Sequence, residues 1–191
     1  MFRYLSIGAL MLSSAAAMAE GPSYSYIQAS YQEIDIDLGG GFDVDGDGFG
    51  VSGSVAINDS WYVFASYGSA ELENVVDLDQ LGLGVGWHSP ISETMDWFVS
   101  AAYVSAEVSA NGFGSADDSG YGVGLGLRSM INPRLELAGS INYADLGDGG
   151  DTSLGLAAWY TISGNFAAGI GADFGDDISS YGIGIRLYFD K

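Results

Sequence analysis

Three aspartates at alternate positions form the sharpest chemical motif of this chain. Asp43, Asp45 and Asp47 stand directly before a glycine, Gly48. Acids at positions 1, 3 and 5 followed by glycine open the calcium loop of helix–loop–helix proteins. Position 12 would be Ser54, which cannot supply the bidentate carboxylate of such loops. We predict weak Ca²⁺ or Mg²⁺ binding at these three aspartates and no other cofactor, with a solvated acidic turn as the alternative.

His88 is the only histidine and therefore the only side chain whose ordinary pKa suits a general base near neutral pH. The chain has no cysteine, so a thiol nucleophile and a cysteine-ligated metal site are excluded. His88 follows Trp87 near a short turn, far along its strand from the acidic segments. We predict an inward or interfacial polar role for it, and no enzymatic activity.

The elements that must position these residues are strands with two unlike faces. Between Gly120 and Asp145, Tyr121 and the three aliphatic residues that follow it at alternate positions face away from a row of glycines that ends at Arg128. Alternation of period two across a tight turn predicts a β-hairpin. In a soluble sheet the exposed glycines would only weaken the strand. In a narrow barrel in lipid, the aliphatic face meets hydrocarbon and the glycines line a crowded lumen.

The same alternation recurs along the chain after residue 20. It predicts strands over residues 24–36, 49–57, 61–70, 79–88, 95–108, 120–128, 134–145, 152–162, 166–174 and 179–189, with acidic loops over 37–48, 71–77, 109–118 and 146–151. An even number of strands lets the first and last pair and close the sheet. The fold class is therefore all-β: a closed, antiparallel, up-and-down transmembrane β-barrel of ten strands. Eight strands stay possible if the first or ninth is misread.

Aromatic residues on the outward face cluster at two heights. Near the short turns they are Trp61, Trp87, Trp97, Tyr160, Phe166 and Phe189; near the longer loops they are Tyr31, Phe49, Tyr67, Tyr103, Tyr121, Tyr143, Phe174 and Tyr181. Two such girdles with aliphatic residues between them are expected at the two interfaces of a bilayer. The alternative, the core of a soluble sandwich, would have to hide both belts at the sandwich ends.

Charge is distributed along the same axis. The chain has 25 acidic and 5 basic residues, a balance that argues against nucleic-acid binding. Most acids fall in or beside the longer loops, which face outward in such barrels, while the short turns face the periplasm. We therefore predict an acidic outer rim, where divalent ions could bridge to lipopolysaccharide phosphates. Arg128, Arg134, Arg186 and Glu136 are predicted to point inward near the periplasmic mouth and to form ion pairs.

The first nineteen residues have the pattern of a targeting segment. Arg3 precedes an apolar run, and Ala17-Met18-Ala19 provides a small-x-small cleavage site. The run is too short for a spanning helix. We predict a signal peptide over residues 1–19 and the barrel over residues 20–191, and hence export to the bacterial outer membrane; an N-terminal membrane anchor is the alternative.

Several stretches resemble known proteins. Tyr24-Ser-Tyr, Gly53-Ser-Val-Ala, the alternation from Asp79 to Trp87, and Tyr181-Gly-Ile-Gly-Ile-Arg are similar to the small porin-like, outer membrane protein A-like β-barrels. More narrowly, the chain resembles a plant-pathogen family once proposed as activators of a rice immune receptor. The resemblance implies an outer-membrane location and insertion by the barrel-assembly machinery, but no agreed activity. Asp190 and Lys191 depart from the aromatic residue on which such barrels often end.

Two functions are open at this point. One is a non-enzymatic barrel with acidic surface loops and a structural or surface-interaction role, a monomer whose partners are outer-membrane lipid and lipopolysaccharide. The alternative is a narrow porin-like channel for small solutes. Inward aromatics such as Tyr62 and Trp159 would fill much of the lumen, which favours a packed interior over a wide channel. Conductance would separate the two, and the sequence names no solute or receptor.

Overall fold

The computed structural model describes residues 21–37, 43–72, 76–110, 114–147 and 149–189. The predicted signal peptide, Asp148 and Lys191 lie outside the described residues. The strands are β1 (Tyr26–Asp37), β2 (Asp43–Ala56), β3 (Trp61–Leu72), β4 (Val76–Ser92), β5 (Met95–Ala110), β6 (Gly114–Asn132), β7 (Leu135–Asp145), β8 (Gly150–Ser163), β9 (Phe166–Phe174) and β10 (Ile178–Tyr188).

The ten strands form one closed antiparallel barrel. Each strand pairs with its neighbours in sequence, and β1 pairs with β10, so no edge is left open. The ten-stranded prediction is confirmed and the eight-stranded alternative is wrong. Four tight connections, such as the one at Gly164 with its φ of +52°, define the short-turn end; the opposite end is called here the long-connection end. Within the described ranges, no helix is long and apolar enough to cross a membrane.

The two faces of the sheet have the predicted polarity. Outward aliphatic side chains are exposed, for example Leu125 at 54% and Ile183 at 64%, whereas the inward faces are buried. The predicted girdle aromatics also lie on the outward face. An exposed aliphatic belt of this extent on a closed barrel requires an apolar surrounding, since water would penalise it.

The inward glycines are explained by the inward aromatic rings. Tyr62 on β3 pairs with Gly86 on β4, and a Cβ at Gly86 would overlap the tyrosine ring. Phe98 lies in the same way over Gly126. Each ring therefore lies flat on the backbone of the next strand, which only glycine permits. The rings fill the lumen from the wall inward.

The strands at the long-connection end are longer than predicted. Residues 43–48, 71–72, 76–77, 109–110 and 114–118 are strand, where the sequence analysis placed acidic loops, so those parts of the loop predictions are wrong. The physical reason is that the polarity of the faces inverts beyond the girdle. On β1 the outward residues become Glu33 and Asp35, while the inward residues become Ile34 and Ile36. The alternation continues, but with its apolar side turned into the barrel.

These inward aliphatic residues form an apolar cluster across the long-connection end of the lumen. The buried members are Ile34, Ile36, Ala70, Leu72 and Ile178, with Val44 and Val76 packed against them. A second cluster includes Val104 on β5 and Leu146, which follows β7. Together they are called here the roof of the lumen. The outer part of the barrel thus contains an apolar core, as a soluble barrel would.

Candidate functional site in the lumen and at the rim

The short-turn end of the lumen contains a buried ion pair. Nε of Arg128 on β6 donates to Oε1 of Glu136 on β7 at 3.0 Å, and Arg128 has no exposed surface. Asp96 on β5 is the cross-strand partner of Arg128 on its other side. A guanidinium removed from water needs an acceptor such as the Glu136 carboxylate, because an unpaired buried charge is strongly destabilising. The predicted inward position and pairing of Arg128 and Glu136 are confirmed.

Residues 21–25 lie across this mouth and are called here the N-terminal strap. The N–H of Gly21 donates to the carbonyl of Glu93 in the β4–β5 turn at 2.8 Å. Nη2 of Arg128 donates to the carbonyl of Ser23 at 3.1 Å, a contact between residues 105 positions apart. The hydroxyl of Ser54 donates to the carbonyl of Tyr24 at 2.8 Å. The strap is thus attached to three different parts of the wall.

Tyr24 is the residue that the strap inserts into the lumen. Its ring stacks on His88 with 3.7 Å between centroids, and the guanidinium carbon of Arg128 lies 4.1 Å from the same ring. Nδ1 of His88 lies 2.9 Å from Oδ2 of Asp96. His88 is therefore inward, as predicted, but its carboxylate and aromatic partners were not. It is held between them at the end of the lumen opposite the acidic strand ends.

A second arginine lies deeper on the same side. The side chain of Arg186 on β10 lies between two aromatic rings, with its guanidinium carbon 3.8 Å from the centroid of Trp159 and 4.5 Å from that of Tyr26. Its Nε donates to Oε1 of Gln28 at 3.0 Å. Cation–π contacts of this kind are worth most where water is excluded. The contacts of Arg128 and of Arg186, the pair of His88 with Asp96, and the strap are together called here the floor of the lumen.

Between the floor and the roof lies a small polar cavity of about 40 Å³. Its polar lining is made of amide and hydroxyl side chains: Gln28, Ser30, Gln32, Ser52, Ser66, Ser69 and Gln80. The hydroxyl of Ser52 is buried and has no protein partner. At roughly 10–15 Å³ per water, such a cavity holds about three water molecules. So small a cavity among the described residues favours a packed lumen over a wide channel.

Carboxylates form the most charged surface, on the outward side of β1–β6 beyond the girdle. They face each other directly across strand pairs: Glu33 with Asp47, Asp47 with Glu71, and Glu71 with Asp77. The full set, called here the acidic collar, is Glu33, Asp35, Asp37, Asp43, Asp45, Asp47, Glu71, Asp77, Asp79, Glu107 and Asp117. Like charges in direct cross-strand register repel each other.

Comparison with known proteins now decides the family. The family model described as the outer membrane protein beta-barrel domain matches residues 5–174. The chain belongs to this family. Membership supports an outer-membrane location, with the short-turn end facing the periplasm and the long-connection end facing outward. No curated protein sequence matches this outer-membrane β-barrel.

Solved structures with a similar fold are distant in sequence. The translocator domain of the autotransporter NalP from Neisseria meningitidis is 10% identical, with a TM-score of 0.53 over 87% of this chain and 89% of that one. The KdgM porin is 9% identical, with a TM-score of 0.52 over 86% and 99%. Neisserial surface protein A is 17% identical, with a TM-score of 0.49 over 87% and 98%. At these identities the likeness to the first two structures shows the fold alone. It gives no support to the narrower resemblance to the plant-pathogen family.

Two sets of predicted site residues in this outer-membrane β-barrel lie in positions that the sequence analysis did not predict. Asp43, Asp45 and Asp47 lie on the exposed face of β2 and not in a turn, so their side chains follow one another along a strand. Within the described ranges no three acidic or histidine side chains converge as a metal site, and cation binding by these aspartates stays a prediction. Arg134 was predicted to point inward, which is wrong: it is exposed in the β6–β7 turn, because alternation ends where the strand ends.

The sequence analysis missed the role of two residues at the floor of this barrel. Tyr24 was assigned to the first strand, but it precedes β1 and lies in the strap. Asp96 was not singled out, although it contacts His88. A signal for Asp96 was present, since an acid at an inward position of a lipid-facing strand needs a partner. No local pattern could have indicated that Tyr24 folds back into the mouth.

Proposed function

We propose that this protein is a non-enzymatic outer-membrane barrel that acts through its outer surface and not by conduction. The observation that carries the proposal is the double closure of the lumen. Arg128, Glu136 and the strap residue Tyr24 fill the periplasmic side, and the apolar roof fills the outer side. A solute would have to displace a buried ion pair and then cross an aliphatic core, and both steps are unfavourable.

Planar-bilayer recording of the purified mature protein tests this proposal. A closed barrel gives a flat current trace, without stepwise openings, across the voltages at which porins conduct. Regular single-channel steps would support the alternative, a narrow channel for small solutes. Folding is checked in parallel on the same preparation by heat-modifiable gel mobility, so that a flat trace caused by missing folded protein is not attributed to a closed barrel.

For the outer surface, we propose that the acidic collar binds Ca²⁺ or Mg²⁺ weakly and thereby contacts lipopolysaccharide phosphates. Support comes from the register, which sets Glu33, Asp47, Glu71 and Asp77 in one continuous row across four strands. Divalent cations relieve this repulsion and can share their remaining coordination with phosphate oxygens. Asp43 and Asp45 extend the same surface along β2.

Binding of purified lipopolysaccharide to the detergent-solubilised barrel tests the collar. We expect retention in Mg²⁺ that is lost in chelator, and reduced retention for a variant in which Asp45, Asp47 and Glu71 are replaced by their amides. The matched control replaces Asp59, which is exposed in the β2–β3 turn at the other end. Equal retention of lipopolysaccharide by the collar variant and the control would contradict the proposal. Within this reading, lipid and the barrel-assembly machinery are the remaining partners, and the barrel is a monomer.

A further inference from the structure

One carboxylate in the lumen lacks a cationic partner. Asp173 on β9 points inward and is 5% exposed, and its Oδ2 is buried without a hydrogen-bond partner. Asp173 takes part in neither of the two ion pairs of the floor, His88 with Asp96 and Arg128 with Glu136. An ionised carboxylate in such a place is costly unless something neutralises it.

The surroundings of Asp173 are neutral oxygen and amide groups in strict register. One cross-strand row runs from Ser140 on β7 through Gly155 on β8 to Asp173, and on to Ser180 on β10. The two serines are buried on the same inward face. Nδ2 of Asn142 donates to Oγ of Ser140 at 3.2 Å, which leaves further lone-pair capacity on that hydroxyl.

Gly155 lets these groups approach each other. A Cβ at Gly155 would lie 2.9 Å from Oδ1 of Asp173 and 2.9 Å from Oγ of Ser140, and 3.5 Å from Nδ2 of Asn142. Because the side chain is missing, a carboxylate oxygen and a hydroxyl oxygen converge over the Gly155 backbone. Carboxylate and hydroxyl oxygens are the ligands that hard cations prefer.

We propose that Asp173, with Ser140 and Ser180, binds a single monovalent cation such as Na⁺ inside the lumen. One carboxylate among neutral ligands gives a neutral site with a monovalent ion, whereas a divalent ion would leave an excess positive charge buried. The site is separate from the acidic collar, because its side chains point into the barrel and the collar residues point out. It does not depend on whether the barrel conducts.

The test measures the temperature at which the mature protein in detergent micelles loses its folded gel mobility. NaCl is compared with choline chloride at equal ionic strength, so that general screening is the same. We expect Na⁺ to raise the transition of the wild-type protein by about 2–4 °C, because a ligand that binds only the folded state stabilises it. D173N, in which the uncompensated charge is removed, should show no difference between the two salts.

Two further variants keep the test decisive if D173N does not fold. G155A adds a methyl group that would force Oδ1 of Asp173 and Oγ of Ser140 apart while the carboxylate stays, so the sodium shift should be lost. The matched control G68A adds the same methyl group on an inward face, 3.9 Å from the nearest backbone oxygen, and should keep the shift. The collar variant D45N should keep it as well.

Three results would overturn the proposal. The first is a wild-type transition that is the same in sodium and choline, which would mean that the carboxyl group is neutral or hydrated. The second is a full sodium shift in both D173N and G155A. The third is a shift produced by Mg²⁺ but not by Na⁺, which would contradict the monovalent assignment.

Discussion

The floor and the roof of the lumen close the same barrel by opposite chemistry. The floor is made of Arg128, Glu136, His88 and Asp96 among aromatic rings, and it includes a chain segment that is not part of any strand. The roof is made of aliphatic side chains that belong to the strands themselves. Directional polar contacts fix one arrangement of the floor, whereas the roof is held by burial of area, which has no preferred direction. The floor should therefore be the more sensitive of the two to single changes.

Breaking the buried ion pair should have the largest effect. Glu136→Ala leaves the Arg128 guanidinium buried without its carboxylate acceptor, and we expect about 3–5 kcal/mol of lost stability. Urea unfolding of the barrel in lipid vesicles measures this. The double variant Arg128→Met with Glu136→Leu removes both charges and should recover most of the loss. A single variant as stable as the wild type would show that water compensates Arg128.

Truncation in the roof should cost less and should not open the lumen. Leu72→Ala removes methyl groups from a buried site, and we expect about 2–3 kcal/mol in the same unfolding assay. The bilayer current should stay flat, because the remaining lining is still apolar. The control Leu81→Ala lies on the outward face among lipid and should change stability by less. Stepwise openings in Leu72→Ala would mean that the roof, and not the floor, keeps the lumen closed.

Removing the inserted strap residue should weaken the floor with a smaller change in stability. Tyr24→Ala deletes the ring between His88 and Arg128, and we expect a loss of about 1–2 kcal/mol from the stacking and cation–π contacts. In bilayers the current should stay flat, because the ion pair and the roof remain in place. Tyr31→Ala, which removes a tyrosine from the outward girdle, provides the comparison. Stepwise openings in Tyr24→Ala that Tyr31→Ala lacks would mean that the roof does not close the lumen and that the strap does.

The contrast between floor and roof also explains what the sequence could predict. Local alternation was sufficient to place Leu125 outward, Tyr62 inward and the ten strands in order. It failed at the roof, where Val44 and Asp45 keep the period but exchange faces, so a search for outward apolar residues began β2 too late, at Phe49. Polarity inverts there because the strand leaves the membrane. An alternation of period two does not show at which residue that boundary lies.

At the floor, the limit was separation along the chain. Nη2 of Arg128 contacts the carbonyl of Ser23 over 105 residues, and Arg186 contacts Gln28 over 158. The inward position of each arginine follows from its own strand, so that part was predictable. Which residues meet across the mouth depends on the stagger of all ten strands. Contacts of that kind are set by closure of the barrel and have no local signature.

The smallest effect is expected beyond the roof, at Asp151 near the long-connection end. Burial, together with repulsion by Asp176 and Asp177, raises the pKa of Asp151 above its ordinary value. The folded state therefore disfavours ionisation. This cost is absent below the ordinary carboxyl pKa, grows as the pH rises from that value to the raised one, and is complete above it. Asp151→Asn should be slightly more stable than the wild type at pH 7, by about 0.5 kcal/mol or less at so exposed a site. The gain should disappear near pH 3, where the wild-type carboxyl is protonated, and Asp59→Asn at the opposite end should show no such pH-dependent gain. If Asp151→Asn is no more stable than the wild type at pH 7, hydrogen bonds to the carboxylate outweigh the repulsion. Directional polar contacts would then stabilise the outer end of the barrel, as they stabilise the floor.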